Sequence, residues 1–185
     1  MRLMNRLVGA FVSAAALIAG SAHAEQAEAK GVYTIEHRNA AGELLYSEEF
    51  KNLVVTSGKN LLLDTFLSGS SYTAALYLGL VDGASAPTFA AADTLASHAG
   101  WTENQGYSNA GRPAATFNAA VAGAKASVSI VFNINASGTI AGCFLCTSAT
   151  KGGTTGTLIS AGAFAGGNRL LQSGDTLSVT YNLSV

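Results

Sequence analysis

The C-terminal segment, residues 176–185, alternates strictly between apolar and polar side chains. Successive side chains of a β-strand point to opposite faces, so this alternation predicts a strand with one buried and one solvated face. An apolar face of this kind must be covered by a second layer of structure, which indicates a layered β domain. The side chains predicted to face inward are Leu177, Val179, Tyr181, Leu183 and Val185.

Shorter strand patterns separated by Gly-rich turns fill most of the remaining chain. Residues 32–38 and 43–50 flank an Asn39–Gly42 turn and predict a β-hairpin. Many short strands with such turns predict a mainly β fold, either a β-sandwich or a jelly-roll-like domain. The further predicted strands cover residues 116–121, 127–134, 139–147 and 157–164. In the strand at 127–134, the side chains expected to be buried are Val128, Ile130, Phe132 and Ile134.

One short helix is predicted at about residues 57–67, where Thr56 or Ser57 can cap its first turn. Its apolar side chains form one helical stripe, which we expect to pack inward. The following segment, residues 75–81, is apolar on both alternations and predicts a strand buried on both faces. The members of the helical stripe are Leu62, Leu63, Phe66 and Leu67.

The chain carries unusually few charges for a soluble domain. Charged residues make up 11% of it, against about 25% in typical domains, and the formal net charge is −1. This balance gives no basis for nucleic-acid binding or for electrostatic steering to a membrane. After Glu103 the only acidic residue is Asp175. The resulting surface is either the free surface of a secreted β domain or a surface that packs against neighbours, because few ions would lose their hydration there.

The N-terminal segment, residues 1–24, resembles a secretory signal. Arg2 and Arg6 precede an apolar run at 7–19, and Ala22-His23-Ala24 offers a small-x-small cleavage site. The alternative is an apolar segment that is retained and docks on a partner. The expected organisation is therefore a signal-like or docking segment at 1–24 and a single β-rich domain at 25–185.

No pattern of catalytic residues emerges from the sequence. Cys143 and Cys146 fall within a predicted strand, where positions i and i+3 face opposite ways, so we expect ordinary packed cysteines. A disulfide or half of a metal site stays as an alternative. His37 and His98 are expected to be satisfied surface or loop histidines, and there is no G-x-S-x-G motif. We therefore predict no enzyme activity, cofactor, metal or small-molecule substrate.

Residues 84–106 form a long irregular segment, with a possible short helix at 93–98 that Asp93 would cap. Trp101, the only Trp in the chain, is expected to anchor this segment to the body of the domain. Long ordered loops are often functional, which here indicates contact with a neighbouring protein.

Two blocks of the chain have a distinctive residue order. The first is Asn52-Leu53-Val54-Val55-Thr56-Ser57-Gly58-Lys59-Asn60 with Leu62-Leu63-Asp64. The second runs from Leu76-Tyr77-Leu78-Gly79-Leu80 to Ala91-Ala92-Asp93-Thr94-Leu95-Ala96-Ser97-His98-Ala99-Gly100-Trp101-Thr102-Glu103, Tyr107 and Arg112. This order resembles small structural proteins found beside head genes in tailed phages and prophages, some of which resemble capsid decoration, or cement, proteins.

The resemblance implies a non-enzymatic virion protein on the capsid surface that binds and stabilises the assembled head shell. Its partners would be the major capsid protein and further copies of itself, as a dimer or trimer. The alternatives are a minor tail structural protein, or a periplasmic or secreted β-sandwich binding module released by cleavage near Ala24. The residues expected to contact a partner are Asp93, His98, Trp101, Glu103, Tyr107 and Arg112.

Overall fold

The computed structural model describes residues 28–67 and 75–185, so the predicted signal-like or docking segment at 1–24 lies outside the described residues. The described chain is mainly β, with two antiparallel sheets and one short helix. Within these ranges no helix is both long and apolar enough to cross a membrane. The elements are β1 Lys30–Arg38, β2 Leu44–Lys51, β3 Leu53–Val54, α1 Thr56–Leu67, β4 Leu76–Asp82, β5 Glu103–Asn104, β6 Ala114–Ala115, β7 Ala124–Ala126, β8 Ile130–Asn133, β9 Gly138–Cys146, β10 Leu158–Ala163, β11 Arg169–Leu171 and β12 Thr176–Ser184.

The first sheet, sheet A, contains the predicted hairpin and the predicted C-terminal strand. Its order is β2-β1-β12, and β7 and β8 both pair with β12. Leu177, Val179 and Tyr181 of β12 are buried, which confirms the inward alternation. The prediction is wrong for Val185, which is 74% exposed because the strand ends at Ser184.

The second sheet, sheet B, has the order β3-β10-β9-β4-β5, with β11 beside β9 and β6 beside β4. The prediction that β4 is buried on both faces is confirmed. Leu78 and Leu80 belong to a large cluster that joins the two sheets, whereas Val81 belongs to a second cluster with Trp101. Sheet B therefore lies between two apolar layers.

The cysteines of β9 divide between these two layers. Cys143 belongs to the cluster between the sheets and Cys146 to the cluster that contains Trp101. Both side chains are buried and neither forms a disulfide, as expected for packed cysteines.

Helix α1 forms where predicted, but the expectation that its leucine stripe packs inward is wrong. Leu62, Leu63 and Leu67 are exposed, and the side chain of Phe66 lies outside the described residues. The buried side carries Gly58, whose missing Cβ lets the helix approach the backbone of Ile159 closely. Ser57 does not cap the helix but donates from Oγ to the carbonyl oxygen of Leu158, at 2.8 Å.

Three other local predictions are wrong. Residues 93–98 are irregular, with a bend at Leu95 and Ala96 instead of a short helix, and the predicted strand at 116–121 is reduced to isolated bridges at Phe117 and Val121. Val128 is exposed because Ser127 takes the inward position, where its Oγ accepts a hydrogen bond from the Tyr181 amide at 3.0 Å.

Candidate functional site

The segment between β4 and β5, residues 83–102, folds back over the outer face of sheet B. Trp101 is 5% exposed, and its ring lies 5.0 Å from that of Phe144 between centroids. The His98 ring stacks on the Trp101 ring with 3.9 Å between centroids, and the centroid of the Phe89 ring lies 6.0 Å from that of Trp101. We call this segment the cover loop, because it buries the outward apolar side chains of sheet B.

Hydrogen bonds within the cover loop fix its shape. Asp93 Oδ2 accepts from the indole Nε1 of Trp101 and from the amide of Ala90, each at 3.1 Å. The amide of Ser97 donates to Thr94 Oγ1 at 3.0 Å. His98 Nδ1 lies 3.0 Å from the carbonyl oxygen of Trp101, so this nitrogen carries the proton and donates. Hydrogen bonds from within the cover loop thus hold Trp101 in position.

A buried ion pair holds the next part of the chain. Arg112 donates from Nε to Glu103 Oε1 at 2.9 Å and from Nη2 to Oε2 at 2.8 Å. The guanidinium also donates to the carbonyl oxygens of Ser148 and Gly153, while the Gly152 amide donates to Glu103. Burial alone would lower the pKa of Arg112, but the hydrogen bonds and charge of Glu103 and the nearby Cys146 thiol raise it above its usual value. The pair therefore fastens residues 103–112 to the 148–153 turn.

Tyr107 and Lys151 add further contacts between residues 103–112 and the 148–153 turn. Tyr107 is buried, and its ring meets Phe132 of sheet A edge-on at 4.9 Å. Lys151 Nζ lies 3.8 Å from the centroid of the Tyr107 ring and donates to the Tyr107 carbonyl at 2.5 Å. Burial, followed by the charge of Glu103, raises the pKa of Tyr107, so its hydroxyl stays protonated at neutral pH.

The six residues predicted to contact a partner thus fall into two neighbouring internal networks. Asp93 and His98 hold Trp101, and Glu103 is bound to Arg112 with Tyr107 beside it. The side chains of Trp101, Tyr107 and Arg112 are buried, whereas Asp93 and His98 keep partial exposure. Their role in partner contact stays a prediction, and their contacts in the described chain hold the cover loop and residues 103–112 in place.

A cavity of about 220 Å³ lies where these networks meet, lined in part by His98, Gln105 and Thr154. Its carboxylate, Glu103, already accepts hydrogen bonds from Arg112 and Gly152. A carboxylate held in a bidentate ion pair is poorly placed to take a proton from a substrate. In the ranges that the structure describes, no three His, Cys, Asp or Glu side chains group as metal ligands would.

A second histidine pairs with an acid in a way that the sequence analysis missed. His37 Nε2 lies 2.7 Å from Asp175 Oδ2, and both residues are 5% exposed. Burial alone would raise the pKa of Asp175, but the Gln172 amide and His37 outweigh it and lower that pKa. The alternation could have revealed this pair, since His37 is in phase with the buried Tyr33 and Ile35. The expectation that His37 is a surface histidine is wrong.

The outer face of sheet A, by contrast, is open. In β7, β8 and β12 its outward side chains carry no ionisable group, and we call this surface the uncharged face. Two of the few charges after Glu103 are buried: Arg112 in an ion pair with Glu103, and Asp175 in a hydrogen-bonded contact with His37. The residues of the uncharged face are Ala124, Ala126, Val131, Asn133, Thr176, Ser178, Thr180, Asn182 and Ser184.

Comparison with protein families and with curated proteins identifies no relative of this chain. No protein-family model matches the chain, and a search of curated proteins returns no match. Function is therefore inferred from the residues and from their geometry.

Proposed function

We propose that this protein is a non-enzymatic virion protein that decorates and cements the head shell of a tailed phage. We further infer that the two stacked sheets form a β-sandwich, with a jelly-roll-like connection as the alternative. The resemblance of residues 52–64 and 76–112 to phage structural proteins supports the role. The cover loop supports it too, because the residues of the second block hold each other in a fixed arrangement that specifies a fold and needs no bound ligand.

The uncharged face is the observation that carries the proposal. A protein surface of Ser, Thr, Asn and Ala can be removed from water without stripping hydration from ions. The cores of protein interfaces are depleted of charged residues in the same way. This face is regular, and no other described element packs on it. The outward Glu36 and Arg38 of β1 border it, and the uncharged part suits packing across joints between coat subunits. Asp93 and His98 at the rim of the cover loop remain candidate contacts.

Binding of this kind stabilises the shell by mass action. A protein that binds only the assembled shell favours the intact state over separated subunits. Because the proposed contact lacks charges, its affinity should depend weakly on salt. Further copies of the chain would occupy equivalent positions around a symmetry axis of the shell.

The primary test is quantitative mass spectrometry of gradient-purified particles from the source strain. We expect abundance near that of the major coat protein. Low abundance favours a minor tail protein instead. Absence from particles, with a mature form that begins at Glu25 in the periplasm, would overturn the phage role and support the exported binding module that the signal-like segment favours.

A second test asks whether the uncharged face is the surface that binds the shell. Thr180→Asp on the uncharged face should weaken binding to shells that lack the protein at least tenfold. The matched control is Leu170→Asp, on β11 of sheet B, because Leu170 is also exposed but lies on the other sheet. Equal binding by both variants would remove the uncharged face as the contact surface.

A further inference from the structure

The exposed side of α1 carries an apolar ridge. Leu62, Leu63 and Leu67 are 36%, 55% and 72% exposed. Lys59 lies on the same helical line as Leu63 and Leu67, since residues four apart share a face. A cavity of about 250 Å³ adjoins this surface, lined by Glu28, Ala29, Lys59, Leu62, Leu63 and Val185. We call the line formed by Lys59, Leu62, Leu63 and Leu67 the α1 ridge.

The α1 ridge is not needed to hold the helix in place. The opposite side of α1 packs through Gly58 against the backbone of Ile159, and Leu61 contacts the core between the sheets. Three exposed leucines on one helix face form a clustered apolar surface, which marks an interaction site more often than scattered exposed leucines do.

The charges of α1 indicate what covers the ridge. The helix has no acidic residue in its first turn and no basic residue in its last, so its own side chains compensate neither end of its dipole. Lys59 lies toward the positive N-terminal end, where a cation is unfavourable. A second α1 lying antiparallel would bring each Lys59 to the negative C-terminal end of the other helix. An uncharged apolar segment would leave Lys59 without such a partner.

We propose that the α1 ridge is a self-association surface, on which α1 of a second copy packs antiparallel about a two-fold axis. Leu63 lies midway between Lys59 and Leu67, so the axis passes near Leu63 and each Leu63 meets its counterpart. An isologous contact of this kind is the usual way in which identical chains form dimers. The proposal does not depend on a role in a phage particle, because it concerns the purified protein alone.

The first test is sedimentation of the purified full-length chain over a range of concentrations. We expect a dimer whose dissociation constant rises at least tenfold in Leu63→Glu and is unchanged in Leu170→Glu, the matched exposed leucine on β11. Lys59→Glu should weaken the dimer while leaving the monomer at least as stable to heat. A chain that stays monomeric, or a dimer indifferent to Leu63→Glu, would overturn the proposal.

The second test locates the axis and does not depend on a variant that loses association. Leu63→Cys should form a disulfide-linked dimer rapidly under mild oxidation, because the two new thiols face each other across the axis. Leu170→Cys is the control for random collision, and both native cysteines are buried. Equal crosslinking of the two variants would show that Leu63 is not at the axis and would exclude the antiparallel pair.

Discussion

The outer faces of the two sheets have opposite surroundings, although their inner faces share one core. On sheet B the outward side chains Val81, Phe144 and Cys146 are buried beneath the cover loop and Trp101. On sheet A the outward side chains of β12, among them Ser178 and Thr180, are polar and at least partly exposed. The outer face of sheet B is therefore covered by the chain itself, whereas the outer face of sheet A is left open.

The difference arises from the strand sequences. β4, β9 and β10 are apolar or small on both alternations, so each needs a layer on both faces. β12 alternates strictly and needs only one. Two charged residues of the C-terminal half lie inside the molecule: Arg112 holds the residues after the cover loop, and Asp175 contacts His37 of β1. On the open face, the outward side chains of β7, β8 and β12 carry no charge, whereas those of β1 include Glu36 and Arg38.

Removing Trp101, which anchors the cover loop, should have the largest effect on stability and should expose the outer face of sheet B. We expect Trp101→Ala to lower the free energy of unfolding by about 4 kcal/mol, because it deletes a large buried ring and leaves Phe144 partly uncovered. Urea denaturation at neutral pH measures the change. A loss below about 1 kcal/mol would mean that the cover loop contributes little to stability.

Breaking the ion pair should have the next largest effect. Glu103→Gln keeps the shape of the side chain but leaves the buried Arg112 without a counter-charge, which should cost about 3 kcal/mol. The double variant Glu103→Gln/Arg112→Met removes both charges and should recover part of that loss. A double variant less stable than either single one would show that the carbonyl contacts of Arg112 matter more than its pairing with Glu103.

The His37–Asp175 pair gives sheet A a sensitivity to acid. Because the folded-state pKa of Asp175 is lowered, its contribution to stability is present above the unfolded pKa of about 4 and is lost as pH falls through the lower folded value. Asp175→Asn should cost about 2 kcal/mol at pH 7 and progressively less below pH 4. Unfolding free energies measured between pH 7 and pH 3 test this, and a constant difference would refute the linkage.

Changes to the uncharged face should have the smallest effect on stability. Thr180→Asp should alter the free energy of unfolding by about 0.5 kcal/mol or less, since Thr180 pairs only with the outward Thr34 of β1. This result would sharpen the contrast with Trp101→Ala, because one outer face is needed for folding and the other is free for binding. Thermal unfolding of the two variants side by side provides the comparison.

Local sequence patterns allowed much of the fold to be predicted. The strand β12 follows from regular alternation, because the apolar period sets which face is covered. The strand β4 follows instead from a run that is apolar on both alternations, and the hairpin, β9 and β10 from short strand patterns between turns. The orientation of α1 could not be predicted in this way. Its leucine stripe has the expected helical spacing, yet close approach at Gly58 selects the opposite face. That choice depends on Ile159, about a hundred residues away in the chain.

The candidate site was predictable only in part. Trp101 was expected to anchor its loop, and that is confirmed by its burial. The bidentate pairing of Glu103 with Arg112 and the joining of His37 to Asp175 depend on strand order and on the 148–153 turn, which local patterns do not encode. Residues 93–98 are irregular where a helix was predicted, because Asp93 accepts hydrogen bonds from Trp101 and Ala90.

The placement of the two cysteines on opposite faces of β9 gives the protein a pair of natural kinetic reporters. Burial raises the pKa of both thiols, so each should react with a thiol reagent only when its own layer opens. Labelling of Cys146 would follow detachment of the cover loop, and labelling of Cys143 would follow separation of the sheets. A single strand thus allows local fraying and global unfolding to be timed separately in the unmodified chain.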